Sequence, residues 1–409
     1  MARELQAFVF IYLPGETVAV PAGVFTLYPD DGIGRFSYGR RYLERRTAVP
    51  VDPVALPLGT RTREVSTNGG LFGAFRDASP DYWGRLVLAA DAKVPPEALG
   101  EMDYLLRGNA SRAGNVDFRT SLEQGEAEGG PPAFRSLRDL VKAAFALQEG
   151  GSVGPDLLRL LEQGSSVGGA RPKCTVELDN ALWIAKFPAK GDVLNYPRIE
   201  HATMALAKRC GIAIPETRLA DVGGRDVLLV KRFDRKKTAR GYLRSGFMSA
   251  LSIADWDELD RAAWSYPVLA DRMRLATLAR PDQIRELFRR MVFNVLCRNT
   301  DDHPRNHGFV HGARGYALSP AYDIVPTPAR PGVGTDFALS MTLGAEGRAA
   351  TLKNALSLSP RFGLEVREAK KVVAGMKAKA ARWEKHFRAL GVSPADTEAA
   401  GASFALATG

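Results

Sequence analysis

Cysteine is scarce in this sequence. Its 409 residues include three cysteines, Cys174, Cys210 and Cys297, which lie far apart along the chain. An odd number of widely spaced cysteines argues against a disulfide framework and against a cysteine zinc cluster. We therefore expect a protein of the reduced cytoplasm.

Long apolar segments are also missing. No apolar run approaches the roughly 20 positions that a membrane-spanning helix needs, so we predict no membrane association. The first apolar segment, residues 7–13, follows acidic and polar residues and is too short for a signal peptide. It predicts a first β-strand instead.

Acidic residues are outnumbered by basic ones, 46 against 56, which gives a formal net charge of +10. A positive charge attracts polyanions such as nucleic acids, nucleotides or acidic proteins. The basic residues are scattered rather than clustered, so an ordinary solubility charge explains them equally well. The charge alone identifies no partner.

The length of the chain predicts two or three domains, and its 45% hydrophobic and 25% charged residues are typical of a soluble globular protein. Residues 7–65 alternate short apolar runs with turn residues, which predicts a β-rich start. Residues 123–132 are rich in Gly, Glu and Pro and predict an exposed linker. We place the domains at residues 1–125, 126–233 and 234–409.

Hydrophobic periodicity and turn residues predict the remaining elements. Strands are expected at residues 216–220 and 227–231. Hairpins are expected at residues 174–187, turning at Asp179-Asn180, and at residues 308–318. Helices are expected at residues 82–92, 136–148, 155–163, 197–210 (ending before Gly211), 281–297 and 366–388.

The chemistry centres on Asp301, Asn306 and Asp323. Asp301 and Asn306 have the D-x-x-x-x-N spacing of a kinase catalytic loop, in which the Asp is the base and the Asn binds a metal ion. A non-helical loop of this length lets the Asp reach a hydroxyl while the Asn turns back to magnesium. Asp323 follows the second predicted hairpin, where a kinase has its other metal-binding Asp. The three residues predict a kinase-like phosphotransfer site.

Lys186 and Glu200 stand where a kinase has its phosphate-binding lysine and the glutamate that pairs with it. Lys186 ends a predicted strand and Glu200 lies on the next predicted helix. Either residue alone is better explained by an exposed position, with Lys186 at the strand edge and Glu200 on a solvated helix face. Together with the downstream loop, the pair favours a nucleotide site.

A stretch with little side-chain bulk, residues 164–173, precedes the first hairpin. Backbone amides of a Gly-rich loop can hold phosphates. The stretch matches neither G-x-G-x-x-G nor a Walker motif, so its residues alone are also compatible with a flexible linker.

Taken in order, these motifs resemble those of the HipA family of bacterial toxin kinases. The N-terminal residues 7–65 and 72–85 resemble the family's N-terminal subdomain, so the similarity covers most of the chain. The matching motifs lie at residues 166–173, 184–188, 200–201, 230–235, 299–306 and 322–325.

The resemblance implies an α+β, two-lobed fold related to protein kinases, with a β-rich N-terminal subdomain and a mostly helical C-terminal lobe. It implies ATP and Mg²⁺ as cofactors, and transfer of the γ-phosphate to Ser or Thr on a translation component such as an aminoacyl-tRNA synthetase. It also implies a helix-turn-helix, HipB-like antitoxin as a partner and, through it, operator DNA.

The resemblance further assigns residue roles. Asp301 is the catalytic base, Asn306 and Asp323 hold metal, and Glu200 forms a structural ion pair. Ser166, or alternatively Ser165, is the site of an inactivating autophosphorylation. The implied nucleotide-binding residues are Gly168, Gly169, Ala170, Arg171, Pro172, Lys173, Lys186, Lys231, Arg232, Phe233, His303, Pro304, Arg305, Asn306, Tyr322 and Asp323.

Three features depart from the family pattern. Arg171-Pro172 replaces the Gln-Glu of the best-known members, and Asp302 replaces a Gly beside the base. Asp302 could be a surface acid or could change the metal shell. Residues 241–270 are divergent, and substrate choice could lie there.

Two other functions fit parts of the sequence. The first is a metal-dependent hydrolase that uses Asp301, Asp302, His303, His307 and His311, although Pro304 argues against two histidines on one helical face. The second is a catalytically weak homologue that acts mainly as a corepressor with a DNA-binding antitoxin. Its phosphate-facing surface would be the basic helix that carries Lys370, Lys371, Lys377, Lys379 and Arg382.

Overall fold

The computed structural model of the chain describes residues 3–109, 111–125, 131–151, 153–164, 170–275, 281–312, 315–328 and 336–409. It divides into two compact units. The first unit contains Met1–Gly191 and Asp221–Met248, and the second contains Asp192–Ala220 and Ser249–Gly409. The three domain boundaries expected from the sequence stay a prediction.

Most strands lie in the first unit. The strands are β1 (Leu5–Tyr12), β2 (Ala19–Tyr28), β3 (Ile33–Tyr38), β4 (Arg63–Val65), β5 (Val116–Arg119), β6 (Lys173–Leu178), β7 (Ala181–Lys186), β8 (Thr217–Asp221), β9 (Asp226–Lys231), β10 (Arg235–Thr238), β11 (Gly241–Arg244), β12 (Phe247–Ser249), β13 (Gly308–Gly312) and β14 (Gly315–Leu318). β8 and β12 lie where the chain passes from one unit to the other.

Most helices after residue 190 lie in the second unit. The helices are α1 (Arg40–Leu43), α2 (Gly73–Ala78), α3 (Tyr82–Asp91), α4 (Glu101–Arg107), α5 (Leu137–Gln148), α6 (Pro155–Gly164), α7 (Tyr196–Arg209), α8 (Ala250–Ile253), α9 (Tyr266–Leu275), α10 (Pro281–Leu296), α11 (Leu352–Ser357), α12 (Val366–Ala380), α13 (Trp383–Ala389), α14 (Pro394–Ala400) and α15 (Ala405–Thr408). None of the helices in the described ranges is both long and apolar enough to cross a membrane.

The first unit is built on an antiparallel sheet with the strand order β4-β3-β2-β1-β5. Side chains alternate along β1: Val9 and Ile11 join the main core with Phe25 and Phe75. Phe10 and its neighbours form a smaller cluster. A strand that is covered on both faces places successive side chains in two different clusters, as β1 does. The five-stranded sheet confirms the β-rich start expected from the sequence.

The predicted hairpin that leads to Lys186 is present in the first unit. β6 and β7 pair with Lys173 opposite Lys186, and β9 pairs along the other edge of β7. Asp179 and Asn180 both have positive φ angles, 51° and 56°. Positive φ at both central residues is the requirement of a type I′ turn, which Asp and Asn tolerate well.

The second unit is organised around α10. One face of this helix is buried, with Ile284, Leu287, Phe288 and Met291 at 4% exposure or less. Phe288 packs against Phe362, their ring centres 5.4 Å apart. These four positions repeat at the predicted 3.6-residue spacing and share one side of the helix. Glu286, Arg290, Phe293 and Asn294 on its other faces are buried as well.

The helix predicted for residues 366–388 is wrong as a single element. The structure has two helices, α12 and α13, which are separated at Ala381-Arg382. In the second helix, Trp383 stacks on Phe404 with ring centres 4.6 Å apart, and Phe387 packs edge-on against the same ring. No Pro or Gly marks the break, so the helical pattern of the sequence continues through it.

Candidate active site

The loop that follows α10 is the centre of the candidate site. Arg298 has a φ of 50°, which ends the helix in the left-handed region. The backbone N–H of Asn299 donates to the Asn294 carbonyl at 2.9 Å, and the Asn299 side chain donates to Asn294 Oδ1 at 3.1 Å. The loop therefore starts from a fixed position on the buried helix.

The loop brings Asp301 and Asn306 together, as their spacing predicts. Asn306 Nδ2 donates to the Asp301 carbonyl oxygen at 2.7 Å. A single 3₁₀ turn, Pro304–Asn306, closes the loop, and the Asn306 N–H donates to the His303 carbonyl at 2.9 Å. The Asp301 side chain is 82% exposed and can meet a substrate, with His303 Nε2 3.9 Å from its Oδ1.

Asp323 follows the β13–β14 hairpin, where the sequence predicts it. Its φ is 53°, a left-handed conformation that is uncommon for a residue other than glycine. Such conformations concentrate at functional sites, where the surrounding structure holds them. Asp323 and Asn306 line one pocket, together with Arg290, Asn294, Asn299, Asp302, His307, Ala321, Tyr322 and Ile324.

The oxygen atoms of Asn306 and Asp323 suit a magnesium ion. Mg²⁺ prefers hard oxygen ligands and binds through one or two carboxylates together with substrate phosphates. Within the described ranges, no group of three or more His, Cys, Asp or Glu side chains could hold a metal ion without such help. The donor set thus fits a metal carried in with a nucleotide.

One histidine of the hydrolase alternative, His307, already has a partner inside the protein. His307 is buried, and burial lowers its pKa to about 3. Its Nε2 lies 3.2 Å from the Tyr266 hydroxyl, inside the protein. A buried neutral histidine that is bound to a tyrosine is part of the packing around the loop.

Asp302 is not the surface acid that the sequence allowed. It is fully buried, with its Oδ2 accepting from the Tyr266 hydroxyl at 2.6 Å and its Oδ1 accepting from the Ser340 N–H at 2.7 Å. Burial raises its pKa to about 7. Each carboxylate oxygen accepts one hydrogen bond and keeps a further lone pair, so a contribution of Asp302 to a metal shell stays a prediction.

Two further predicted residues contact each other in the second unit. The Tyr322 hydroxyl donates to the Arg305 carbonyl at 2.8 Å. Arg305 Nη1 in turn donates to Glu258 Oε1 at 3.1 Å. Glu258 lies in the divergent stretch of residues 241–270, so the structure links that stretch to the loop that carries Asp301 and Asn306.

Several predicted nucleotide-binding residues lie in the first unit. Lys186 ends β7, and the carbonyl of the buried Lys173 accepts from Trp83 Nε1 at 2.8 Å. The Pro172 carbonyl accepts from the Phe187 N–H at 2.9 Å, which ties the end of the predicted loop to the strand. Ala170 and Arg171 precede it. Ser165, Ser166, Gly168 and Gly169 lie outside the described residues.

Glu200 is buried on α7 in the second unit, at 6% exposure. A buried glutamate needs a partner, which is consistent with a structural role. Its pairing with Lys186 stays a prediction.

Three further residues that the resemblance assigns to nucleotide binding, Lys231, Arg232 and Phe233, lie at the end of β9 and directly after it. Lys231 Nζ lies 5.7 Å from the Trp183 ring centre, and the Phe233 ring centre lies 6.4 Å from that of Phe247. The Arg232 guanidinium is buried and pairs with Asp234 at 2.7 Å. Because this side chain is already engaged, we expect Arg232 to meet a nucleotide only through its main chain.

Sequence reasoning missed the residues that hold the loop of Asp301 and Asn306 in place. Tyr266 and Ser340 bind Asp302 from 36 and 38 positions away in the sequence. Neither belongs to a motif, and a lone Tyr or Ser carries no pattern that points to such a contact. The need of a buried Asp302 for hydrogen-bond partners could have pointed to them. The sequence does not show that Asp302 is buried, so it gives no such signal.

Comparison with known proteins identifies the family. Residues 165–383, more than half of the chain, match the model of the HipA-like C-terminal domain. The chain belongs to this HipA-like family. The resemblance predicted from its motifs is confirmed.

The HipA-like fold extends over nearly the whole chain. A Shewanella oneidensis structure, described as the toxin–antitoxin system HipA, HipB and its operator DNA complex, matches with a TM-score of 0.70 at 15% identity. The match covers 98% of this chain and 96% of the other. It confirms the predicted α+β fold, with a β-rich N-terminal region and a more helical C-terminal region.

Curated relatives of this HipA-like chain are named as candidate kinases. One from Haemophilus influenzae is 28% identical over 212 residues, which cover 47% of this chain and 62% of the relative. Two from Sinorhizobium fredii are 27% and 28% identical, covering 36% and 38% of this chain and 37% of each relative. The chain thus spans less than two thirds of the length of the curated relatives it matches.

Proposed function

We propose that this chain is a serine/threonine protein kinase that uses ATP and Mg²⁺. The observation that carries the proposal is the arrangement in the second unit: Asp301 is exposed on a loop that Asn306 closes, and Asn306 lines one pocket with Asp323. Membership of the HipA-like family and the kinase names of the relatives support it.

In this proposal each residue of the site has a separate role in phosphate transfer. The hydroxyl oxygen of a Ser or Thr attacks the γ-phosphorus of ATP, the bond from that phosphorus to the ADP oxygen breaks, and the Asp301 carboxylate accepts the hydroxyl proton. Asn306 and Asp323 would hold Mg²⁺, which supplies charge neutralisation on the phosphates. The main chain of residues 170–173 and the Lys186 ammonium would bind phosphate, and residues 231–233 would lie beside the adenine.

We further propose that the kinase is the toxin of a HipBA-type toxin–antitoxin module in the cytoplasm. The similar Shewanella structure is described as a complex with HipB and operator DNA. By analogy, the partner would be a helix-turn-helix, HipB-like antitoxin, with operator DNA bound through the complex. The substrate would be a translation component such as an aminoacyl-tRNA synthetase, and autophosphorylation of Ser166, or of Ser165, would switch the kinase off.

A weak kinase that acts mainly as a corepressor is the second candidate. It is favoured by α12, where Lys370, Lys371 and Lys379 are exposed on the outer face. Exposed lysines along a helix can bind phosphates of DNA, although they more often form a solvated face. Catalytic activity distinguishes the two functions.

The deciding experiment uses Asp301→Ala and, separately, Asp323→Ala. Purified full-length wild type and variants are incubated with MgATP, and phosphate incorporation is followed by intact mass. Both variants should lose transfer while ATP binding survives at least in part. Asp31→Ala, which removes an exposed carboxylate in the first unit, is the matched control and should stay active. Autophosphorylation retained in both site variants would refute the assigned mechanism, and an inactive wild type would favour the corepressor.

A further inference from the structure

A buried polar cluster lies under the catalytic loop. It consists of Tyr266, Asp302, His307, Asn294 and Ser340, and we call it the Tyr266 cluster. Tyr266, Asp302, His307 and Asn294 are at most 4% exposed. Buried polar groups are costly unless each finds a partner, so such a cluster needs a reason to be there.

The Tyr266 oxygen uses its full hydrogen-bonding capacity. A tyrosine hydroxyl has one hydrogen to donate and two lone pairs to accept with. It donates to Asp302 Oδ2 at 2.6 Å and accepts from Asn294 Nδ2 at 3.0 Å. His307 Nε2, 3.2 Å away, is then a donor to the remaining lone pair. One hydroxyl thereby joins α9, α10 and both ends of the catalytic loop.

Ser340 completes the cluster from the other side of the loop. Its N–H donates to Asp302 Oδ1 at 2.7 Å, and its hydroxyl donates to the Thr300 carbonyl at 2.8 Å. Thr300 and Asp302 are the two chain neighbours of Asp301. The base therefore stands between two residues that are both fixed to Ser340, while its own side chain is exposed.

We propose that Tyr266 and Asp302 are positioning residues, which hold the Asp301 backbone in the place where its carboxylate can accept a proton. Neither residue touches substrate. The inference rests on the proposed kinase function and deepens it, because it assigns to the divergent Asp302 a task inside the protein. An exposed carboxylate on a non-helical loop needs such support, since a displacement of about 1 Å can cost about 100-fold in rate.

The test removes a single oxygen atom. Tyr266→Phe keeps the ring and its packing but leaves Asp302, Asn294 and His307 without the shared hydroxyl. We expect the first-order rate of autophosphorylation at saturating MgATP to fall about 10- to 100-fold. The ATP concentration that gives half the maximal rate should change by less than about threefold, because the phosphate-binding residues are intact. A variant that was merely less stable would not show this separation.

Tyr42→Phe is the matched control. It also removes a buried hydroxyl, which donates to the Val49 carbonyl at 2.6 Å, but it lies in the first unit. Its autophosphorylation rate should match that of wild type. Equal slowing of both variants would mean that the loss follows from general destabilisation, and the proposal would be wrong.

A double-mutant cycle tests whether the two residues act through one contact. Asp302→Asn has one carbonyl oxygen for two donors, so it should also slow the reaction. If Tyr266 and Asp302 act together, the double variant should be little slower than either single variant. Multiplicative rate losses would show that they act separately and would contradict the shared role.

Hydrogen–deuterium exchange separates failure of this inference from failure of the kinase function. Without ATP, exchange in residues 299–307 should be faster in Tyr266→Phe than in wild type and unchanged in Tyr42→Phe. Unchanged exchange in Tyr266→Phe would overturn the inference whatever the activity. A wild type without phosphate transfer would instead overturn the proposed function, and with it the positioning role.

Discussion

Asp234 lies in the first unit between two arginines. Its Oδ2 accepts from Arg232 Nη2 and Arg235 Nη1, each at 2.7 Å, and from the Gly114 N–H at 3.1 Å. Burial alone would raise the pKa of Asp234, but Arg232 and Arg235 outweigh burial and hold the pKa below its usual range. The carboxylate joins residues that follow β9 to the loop before β5.

We predict that Asp234→Asn destabilises the protein by about 3 to 5 kcal/mol at pH 7, because it leaves two buried guanidinium groups without their counter-charge. A lowered folded pKa gives stability that is present above the unfolded pKa, roughly 4, and is lost as the pH falls through the folded value. Urea unfolding at several pH values should therefore show the gap between wild type and variant narrowing below about pH 4. A constant gap would contradict the ionic explanation.

Asp302 is equally buried but meets neutral donors, and its pKa moves the other way, to about 7. The folded state then keeps a proton that the unfolded state releases near pH 4. This stability is fully present below that pH and is lost as the pH rises through about 7. A tenfold difference in proton affinity between the folded and unfolded states is worth about 1.4 kcal/mol, so the loss is on the order of a few kcal/mol.

Asp302→Asn has no carboxyl group at this position, so its stability should not fall as the pH rises through about 7. The free energy of unfolding of the variant minus that of wild type, measured in urea, should therefore increase between about pH 4.5 and 7.5. The difference cancels the other titrating groups, which both proteins share. Parallel curves would show that the Tyr266 and Ser340 hydrogen bonds compensate the buried charge fully. If Asp302→Asn is both more stable and slower in phosphate transfer, wild-type Asp302 lowers the stability of the protein while it holds the Asp301 loop in place.

Helices and strands can be predicted from the sequence where neighbouring residues alone determine them. α10 is recognisable because its buried positions repeat along one stretch, and the β6–β7 hairpin because Asp179-Asn180 suits its turn. The break between α12 and α13 is not recognisable, since it depends on Trp383 meeting Phe404, a residue well beyond the end of the helix pattern. Tertiary packing overrides helix propensity at such a point.

α7 offers a local test of the element that carries Glu200. Asn195 is its N-cap, with the side chain accepting from the Arg198 N–H at 3.2 Å. Asn195→Ala removes that acceptor and should lower the free energy of unfolding by about 1 kcal/mol. Asn195→Ser keeps a capping oxygen and should stay close to wild type. Thermal unfolding of wild type, Asn195→Ala and Asn195→Ser tests the capping role of Asn195. Equal midpoint temperatures of unfolding for the two variants would contradict that role.

In the candidate site, too, some residues could be predicted from local sequence and others could not. Asp301 and Asn306 could be paired from the sequence because one short loop contains both. Asp323 could be added because a hairpin precedes it. Tyr266, Asn294 and Ser340 come from α9, α10 and a later segment, and only the fold brings them to Asp302. The contact between Asp301 and Asn306 was thus predictable from the sequence, and the residues that hold their loop in place were not.

For the whole molecule, family membership sets the expected fold, while the biological role depends on catalysis in a cell. The net charge of +10 is compatible with nucleotides, with DNA through an antitoxin, or with neither. Under the proposed function, Asn306 and Asp323 would hold Mg²⁺ together with the phosphates of ATP, so we expect activity to require added Mg²⁺.

We predict that expression of the wild-type chain without a partner slows growth, because an active kinase would modify a component of translation. Asp301→Ala at the same protein level should be harmless, since it changes only the exposed carboxylate of the loop. Phosphoproteomics on the two cultures should then give phosphorylated Ser or Thr sites found only with wild type, including the target and any site at Ser165 or Ser166. Growth inhibition by both proteins would indicate toxicity without phosphate transfer. A harmless wild type that still phosphorylates itself would remove the toxin assignment and leave the kinase, because the two conclusions depend on different partners of the same site.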